Sequence, residues 1–135
     1  MSIGLPNILA LDDDLDMLSQ IARAVAGHYR VISHSNPTRA MALLETDSAI
    51  SVFVTEQVMR FGNGLDLLES ARSMKPNVRR VMITNYSDLA SIIPGLHSGT
   101  IQALAQKPAT DNELLGAIAP HLLQLRAFAA ARKSA

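Results

Sequence analysis

Cysteine is absent from the 135-residue chain, which therefore has no disulfide framework. Its absence is compatible with a reducing compartment. The sequence also has no run of about 18 apolar residues, so it predicts no helix that crosses a membrane. Residues 1–6 lack the basic-then-apolar pattern of a signal peptide. These absences lead us to expect a cytoplasmic domain with no membrane contact.

The chain also lacks an excess of charge of either sign, because 12 basic residues balance 12 acidic ones. A neutral chain argues against direct binding to nucleic acid, which requires clustered positive charge. Apolar residues make up 48% of the sequence, which is ample for one buried core in a chain of this length.

Short apolar segments alternate with longer segments of helical periodicity. Residues 7–11 and 50–55 are compact apolar runs, typical of strands covered on both faces. Three further strands are predicted at 29–33, 81–84 and 101–105. Five such βα units predict an α/β fold in which a parallel sheet carries helices on both faces. The pattern alone leaves the strand order open.

Five helices are predicted between and after these strands. Their ends are marked by capping side chains or proline at the start and by glycine at the end. Pro94-Gly95 and Pro120 fall inside the fourth and the last helix, which should kink or restart there because proline removes a helical hydrogen bond. The first helix is predicted at 14–26 and the third at 65–74. The second begins at Asn36-Pro37, and the fourth extends from Ser87 or Asp88 to Gly99. The fifth begins at a capping box of Thr110 and Glu113.

Polar side chains stand where the predicted strands end. Because the carboxyl ends of parallel strands meet at one edge of a sheet, we expect these acids, this hydroxyl and this ammonium to lie together. They are Asp12, Asp13 and Asp14 after the first strand, Glu56 after the third, Thr84 at the end of the fourth, and Lys107 after the fifth.

This set resembles the receiver domain of two-component response regulators, and the resemblance covers about residues 7–119. It implies a flavodoxin-like, doubly wound (βα)5 parallel sheet with strand order 2-1-3-4-5. Asp12 and Asp13 correspond to the acid pair that helps to hold a divalent cation. Thr84 corresponds to the hydroxyl that senses the phosphoryl group, and Lys107 to the lysine that precedes a proline.

Glu56 stands at the position of the phospho-accepting aspartate, as the family's methionine three residues later (Met59) and glycine eight residues later (Gly64) indicate. Glutamate's extra methylene moves the carboxylate by about 1 Å, and such a displacement costs on the order of 100-fold in rate. We therefore expect efficient phosphorylation to be lost, and we do not expect a histidine kinase as a partner.

Two further departures lie in the third-strand motif, where Arg60 replaces the proline and Asn63 replaces the acid before the glycine. A third is Leu104, which stands three residues before Lys107 at the position of the aromatic switch residue. Two interpretations follow. Glu56 either pairs with Lys107 and partly mimics the phosphorylated state, or phosphorylation is lost and the domain is only a scaffold or dimerisation unit. Mimicry is incomplete, because a carboxylate carries one charge against roughly 1.5 to 2 for a phosphoryl group. Leu104 favours the second interpretation.

The acids suggest at most a weak metal site. Asp12, Asp13 and Glu56 offer the hard oxygen ligands that Mg²⁺ prefers. A longer Glu56, however, fills the place of the ion or leans on Lys107. We expect weak Mg²⁺ binding and no other cofactor.

The segment from Gly99 to Pro108 resembles a receiver subgroup that often precedes a sigma-54-type ATPase or a cyclic-di-GMP phosphodiesterase domain. The expected partner is thus an output domain in the same chain or a separate protein. The face formed by the fourth helix, the fifth strand and the last helix is predicted to make a constitutive contact with a partner. That partner could be a second copy of the chain, which would give a homodimer. We assign residues 1–119 to the receiver domain and 120–135 to a C-terminal helical extension or linker.

Three alternatives to this non-enzymatic regulatory module are open. One is a phosphorylatable receiver that uses Glu56 or another acceptor. A second is a haloacid dehalogenase-like, Mg²⁺-dependent phosphohydrolase, for which Asp12 and Asp14 would form an Asp-x-Asp element; those enzymes add a further acidic pair after the lysine strand, and this chain has none. A flavodoxin is the third, although its first loop binds phosphate and this acidic loop would repel it.

Overall fold

The computed structural model describes residues 4–85 and 89–134. Five strands form one parallel sheet in the order β2-β1-β3-β6-β7, which is the predicted order 2-1-3-4-5 counted over these strands alone. The sheet strands are β1 (Asn7–Leu11), β2 (Arg30–His34), β3 (Ile50–Thr55), β6 (Arg79–Thr84) and β7 (Ala103–Gln106). Just after β3, the short strands β4 (Val58–Met59) and β5 (Gly62–Asn63) pair as an antiparallel hairpin.

Helices cover both faces of the sheet, as in a doubly wound fold. Alternate residues of β1 belong to opposite core clusters: Ile8 and Ala10 lie with α1 and α5, whereas Leu9 and Leu11 lie with α2, α3 and α4. The helices are α1 (Leu15–Ala24), α2 (Pro37–Thr46), α3 (Gly64–Met74), α4 (Leu89–Ser98), α5 (Asp111–Ile118) and α6 (Pro120–Ser134). Within the described ranges, none of them is both long and apolar enough to cross a membrane.

The helix caps predicted at Asn36, at Thr110 with Glu113 and at Gly99 are confirmed. The Asn36 side chain accepts a hydrogen bond from the backbone N–H of Arg39 and caps α2. Thr110 and Glu113 form the capping box of α5. Gly99 ends α4 with a φ of 80°, a left-handed conformation that favours glycine. The caps predicted at Ser87 or Asp88 lie outside the described residues.

Several boundaries differ from the predictions by one or two residues. The helix α1 ends at Ala24 instead of 26, and β2 begins at Arg30 instead of 29. The strand β7 begins at Ala103 instead of 101, because the N–H of Ile101 bonds to the carbonyl of Gly95 in α4 and the residue cannot join the sheet there.

The strand β6 begins two residues earlier than predicted, at Arg79. Arginine was not expected in a strand that is covered on both faces. Carbonyl groups at helix ends accept hydrogen bonds from the two guanidinium groups. Arg79 donates to the carbonyl of Ala117 at the end of α5. Arg80 donates to the carbonyls of Gly99 and Thr100 after α4. The charges are thereby hydrogen-bonded although they lie inside the fold.

The two prolines behave differently. The helix α4 runs through Pro94 without interruption, so it does not restart there, whereas the alternative of a kink stays a prediction. Its neighbour Gly95 sits so close to α3 that a Cβ atom would overlap the Leu65 side chain, which explains glycine at this position. At Pro120 the predicted restart is confirmed, because α5 ends before the non-helical Ala119 and α6 begins at the proline.

Candidate functional site

The residues singled out in the sequence meet at the carboxyl edge of the sheet. Asp12 directly follows β1, Glu56 directly follows β3, Thr84 is the last residue of β6, and Lys107 directly follows β7. Asp12 and Glu56 are 4% and 6% exposed, so two carboxylates are buried at this edge. A buried carboxylate requires a positive charge or hydrogen-bond donors nearby.

The Lys107 ammonium supplies that charge. Its Nζ atom lies 2.8 Å from Oδ2 of Asp12 and 2.9 Å from Oε2 of Glu56. The lysine belongs to the outermost strand end, so its side chain reaches past β6 to the ends of β3 and β1. A third carboxylate, that of Asp14, lies at 3.9 Å. One ammonium therefore joins the two buried acids into a single ion cluster.

Backbone N–H groups satisfy the remaining oxygens of the two acids. Oδ1 of Asp12 accepts a hydrogen bond from the N–H of Asp14 at 2.9 Å. Oε1 of Glu56 accepts one from the N–H of Gln57 at 2.6 Å. All four carboxylate oxygens of Asp12 and Glu56 thus have a donor from the chain itself.

The other two acids after β1, Asp13 and Asp14, have separate partners. Asp13 is exposed, and its Oδ2 accepts a hydrogen bond from the N–H of Arg60 at 2.7 Å, which anchors the β4–β5 hairpin. Asp14 accepts hydrogen bonds from the N–H groups of Asp16 and Met17 and caps α1. Asp14 remains 3.9 Å from the Lys107 ammonium, farther than Asp12 and Glu56.

This arrangement does not fit a divalent cation. Mg²⁺ needs near-octahedral oxygen ligands. Among residues 4–85 and 89–134, no group of three or more acids or histidines is placed to hold a metal ion. The Lys107 ammonium stands between the two buried carboxylates, and Asp13 is engaged by Arg60. The expectation of at most weak Mg²⁺ binding stays a prediction.

Burial and pairing shift the pKa values of the cluster. Burial raises the pKa of Asp12, and its hydrogen bonds to Lys107 and Asp14 only partly offset that effect. Burial alone would lower the pKa of Lys107, but hydrogen bonds to Asp12 and Glu56 and their charges outweigh it. The pKa of Lys107 is therefore raised above 10.5, and the lysine is charged at neutral pH.

Gln57 is a site residue that the sequence analysis did not single out. It is 1% exposed, and its Oε1 accepts the N–H of Leu65 in the first turn of α3 at 2.8 Å. Its Nε2 donates to Oγ of Ser91 in α4 at 3.3 Å. Gln57, the residue after Glu56, is therefore hydrogen-bonded to both α3 and α4. A glutamine in a loop gives no signal of this in one sequence.

The surroundings of Gly64 explain why a glycine is needed at this position. Its N–H donates to the carbonyl of Gln57 at 2.8 Å. A Cβ atom at this position would overlap the carbonyl oxygen of Glu56 and lie 2.9 Å from its carbonyl carbon. The start of α3 therefore packs directly on the backbone that carries Glu56, and only glycine allows it.

The two predicted switch positions lie on the last two sheet strands. Thr84 is buried, and its carbonyl accepts the N–H of Lys107 at 2.8 Å, which fixes the lysine's backbone. Leu104 pairs with Met82 across the β6–β7 ladder and is half-buried against the core. Its assignment to the position of an aromatic switch stays a prediction.

Comparison with known proteins agrees with this geometry. A family profile described as "Response regulator receiver domain" matches residues 8–119. Relatives include the hydrogenase transcriptional regulatory protein HoxA of Cupriavidus necator, 27% identical over 87% of this chain and 24% of HoxA. The photosynthetic apparatus regulatory protein RegA of Rhodobacter capsulatus is 27% identical over 83% of this chain and 60% of RegA. The chain thus spans about a quarter of HoxA and 60% of RegA, less than two thirds of either relative.

Solved structures agree on the fold. A CheY-like response regulator receiver domain from Methanospirillum hungatei JF-1 is 25% identical, with a TM-score of 0.74 over 83% of this chain and 89% of that one. A structure titled as an adenylate cyclase from Rhodopirellula baltica is 22% identical, with a TM-score of 0.79 over 96% of both chains. The second supports the fold alone. The profile match covers the acids, Thr84 and Lys107, and it favours a receiver over the dehalogenase-like and flavodoxin alternatives. This chain belongs to the response regulator receiver domain family of two-component signalling.

Proposed function

We propose that this chain is an atypical receiver domain whose signalling does not depend on phosphorylation at the acceptor position. The observation that carries the proposal is that both carboxylate oxygens of Glu56 are already hydrogen-bonded. Lys107 holds Oε2 and the N–H of Gln57 holds Oε1. An acceptor must present a free oxygen in line with the leaving group, and misplacing it by about 1 Å costs on the order of 100-fold.

We further propose that the Glu56–Lys107 contact holds the domain in one signalling state. The contact at 2.9 Å is the pairing that partial mimicry of the phosphorylated state requires. The aliphatic Leu104 supports the other interpretation, a scaffold without a switch. Glu56→Gln separates the two, because loss of the charge changes partner binding only if Glu56 acts as a mimic.

The output is proposed to be a protein–protein contact through the face formed by α4, β7 and α5. Leu89 and Ile93 of α4 are 45% and 42% exposed, so α4 offers apolar contacts. The partner is an output domain in the same protein, a separate protein or a second copy of the chain. The longer relatives HoxA and RegA support an output domain, of the sigma-54-type ATPase or cyclic-di-GMP phosphodiesterase kind that the resemblance implies.

Residues 1–119 form the receiver domain in this proposal, and 120–135 form a linker. The helix α6 supports a linker because Leu125 and Phe128 are 61% and 63% exposed on it. We place the protein's action in the cytoplasm, where two-component signalling proteins meet their partners. No direct contact with nucleic acid or membrane is proposed for these residues.

The amide NMR spectrum tests this function. The spectrum of the wild type is recorded before and after addition of acetyl phosphate and Mg²⁺, together with its sedimentation. We expect the spectrum and the sedimentation to stay unchanged, because Lys107 and the N–H of Gln57 hold the two oxygens of Glu56. Shifts of amides in α4 and β7 upon addition of acetyl phosphate would show a phosphorylation-dependent switch and contradict the proposal.

A further inference from the structure

We infer that the Lys107 ammonium takes the place of a divalent cation in this pocket, so that the site is held together by a cation of the chain itself. The inference follows from the misfit between the carboxylates and a metal ion. It rests on the same site as the proposed function but makes a different claim, about cation binding instead of phosphoryl transfer.

The charge balance of the pocket depends on Lys107. The ion pairs found within residues 4–85 and 89–134 all involve this lysine. Its ammonium faces two buried carboxylates and lies 3.9 Å from a third, the Asp14 carboxylate. Without it, Asp12 and Glu56 would be two buried negative charges with no positive partner, which is a strongly unfavourable arrangement.

The oxygens are also oriented toward protein donors. The Oδ1 of Asp12 and the Oε1 of Glu56 face backbone N–H groups, and their other oxygens face the ammonium. A metal ion in the pocket would have to displace the ammonium from 2.8 Å and 2.9 Å contacts. Asp13 is turned toward the β4–β5 hairpin, where its Oδ2 accepts the N–H of Arg60.

Glu56 reaches both partners at once. Its carboxylate accepts the N–H of Gln57 and contacts the ammonium of Lys107. The ammonium is tethered by the chain, so it is present at a high effective concentration compared with dissolved Mg²⁺. A metal ion therefore competes poorly in the wild type, and removal of Lys107 should uncover the acids as a cation site.

Mn²⁺ and Mg²⁺ serve as probes of this competition. Mn²⁺ binding is measured from water-proton relaxation, and the midpoint of thermal unfolding is measured in EDTA and in millimolar MgCl₂. The proteins are the wild type, Lys107→Met and Lys133→Met. Lys133 is exposed on α6, so its replacement removes the same charge away from the pocket and serves as the matched control.

The wild type and Lys133→Met should show only weak Mn²⁺ binding and the same midpoint in EDTA and MgCl₂. Lys107→Met should unfold at lower temperature in EDTA, regain part of the loss in MgCl₂, and bind Mn²⁺ at least about tenfold more tightly than the wild type. Tight Mn²⁺ binding by the wild type would overturn the inference, as would no gain in affinity for Lys107→Met.

Folding of the variant does not limit the test. If Lys107→Met folds only when Mg²⁺ or Mn²⁺ is added, the metal replaces the lysine and the inference is supported. Failure to fold under both conditions counts against it, because a divalent cation then cannot replace the ammonium. Glu56→Gln keeps Lys107 and removes one acid, so it should bind Mn²⁺ no better than the wild type. These results are independent of whether the wild type accepts a phosphoryl group.

Discussion

Oε2 of Glu56 lies 2.9 Å from Nζ of Lys107, and this contact joins the end of β3 to the end of β7, two strands away in the sheet. Both side chains are largely buried, so the contact is made where water screens it little. Glu56, which we propose to stand at the acceptor position, is therefore a structural counter-ion of Lys107.

The coupling between these two side chains is measurable. Removing the charge of Lys107 as Lys107→Met should lower the free energy of unfolding by about 3 kcal/mol, because it leaves two buried carboxylates unpaired. The same substitution in a Glu56→Gln background should cost less, with a coupling energy of roughly 1–3 kcal/mol. Urea denaturation of the four proteins gives this value, and strictly additive effects would contradict the pairing.

Stability should depend on pH through Lys107. Because its pKa is raised in the folded state, its contribution is fully present below 10.5 and is lost as pH rises through the higher folded value. The difference in unfolding free energy between wild type and Lys107→Met should therefore be constant from neutral pH to 10.5 and shrink above it. Lys133→Met should follow the wild type over the same range. A difference that grows above pH 10.5 would contradict the assigned sign.

Gly64→Ala tests the close packing of α3 on the acceptor strand. Its Cβ would overlap the carbonyl oxygen of Glu56, which belongs to the rigid backbone, so the substitution should destabilise the fold by about 3 kcal/mol. Gly4→Ala is the matched control because no atom lies within 4 Å of its Cβ position, and it should change stability by less than about 0.5 kcal/mol. Equal effects of the two substitutions in thermal unfolding would contradict the packing account.

Gln57→Leu tests the connection from the site to the helices. It removes the acceptor of the Leu65 N–H, and such an unpaired donor costs about 1–3 kcal/mol. Ser91→Ala removes only the longer 3.3 Å contact with Gln57 and should cost less. Hydrogen exchange should show faster exchange of the Leu65 amide in Gln57→Leu. Unchanged exchange in α3 and α4 would mean that Gln57 does not hold them.

The parts of the fold that could be predicted are those set by local chemistry. The bounds of β1 and β3 follow from apolar runs that stop at charged residues, and both predictions are confirmed. The Thr110–Glu113 capping box depends on two residues three apart, so it is visible without a structure. The strand order depended on the family resemblance, because apolar periodicity contains no information on which strands are neighbours.

The parts that could not be predicted depend on contacts between distant segments. The start of β6 at Arg79 requires carbonyl groups from α5, 38 residues away in sequence. The close approach of Gly95 in α4 to the Leu65 side chain of α3 is likewise a contact between distant segments. Adjacent acids in the sequence, Asp12 and Asp13, turn to different partners because Arg60 binds one of them.

The most direct test of the account is the intact mass of the protein after incubation with acetyl phosphate and Mg²⁺. Wild type and Glu56→Asp are compared, since the shorter side chain restores the residue type of the family's acceptor. We predict no added phosphoryl mass on the wild type and one added phosphoryl mass on Glu56→Asp. A gain of one phosphoryl mass on the wild type would contradict the claim that Glu56 is a counter-ion to Lys107 instead of an acceptor.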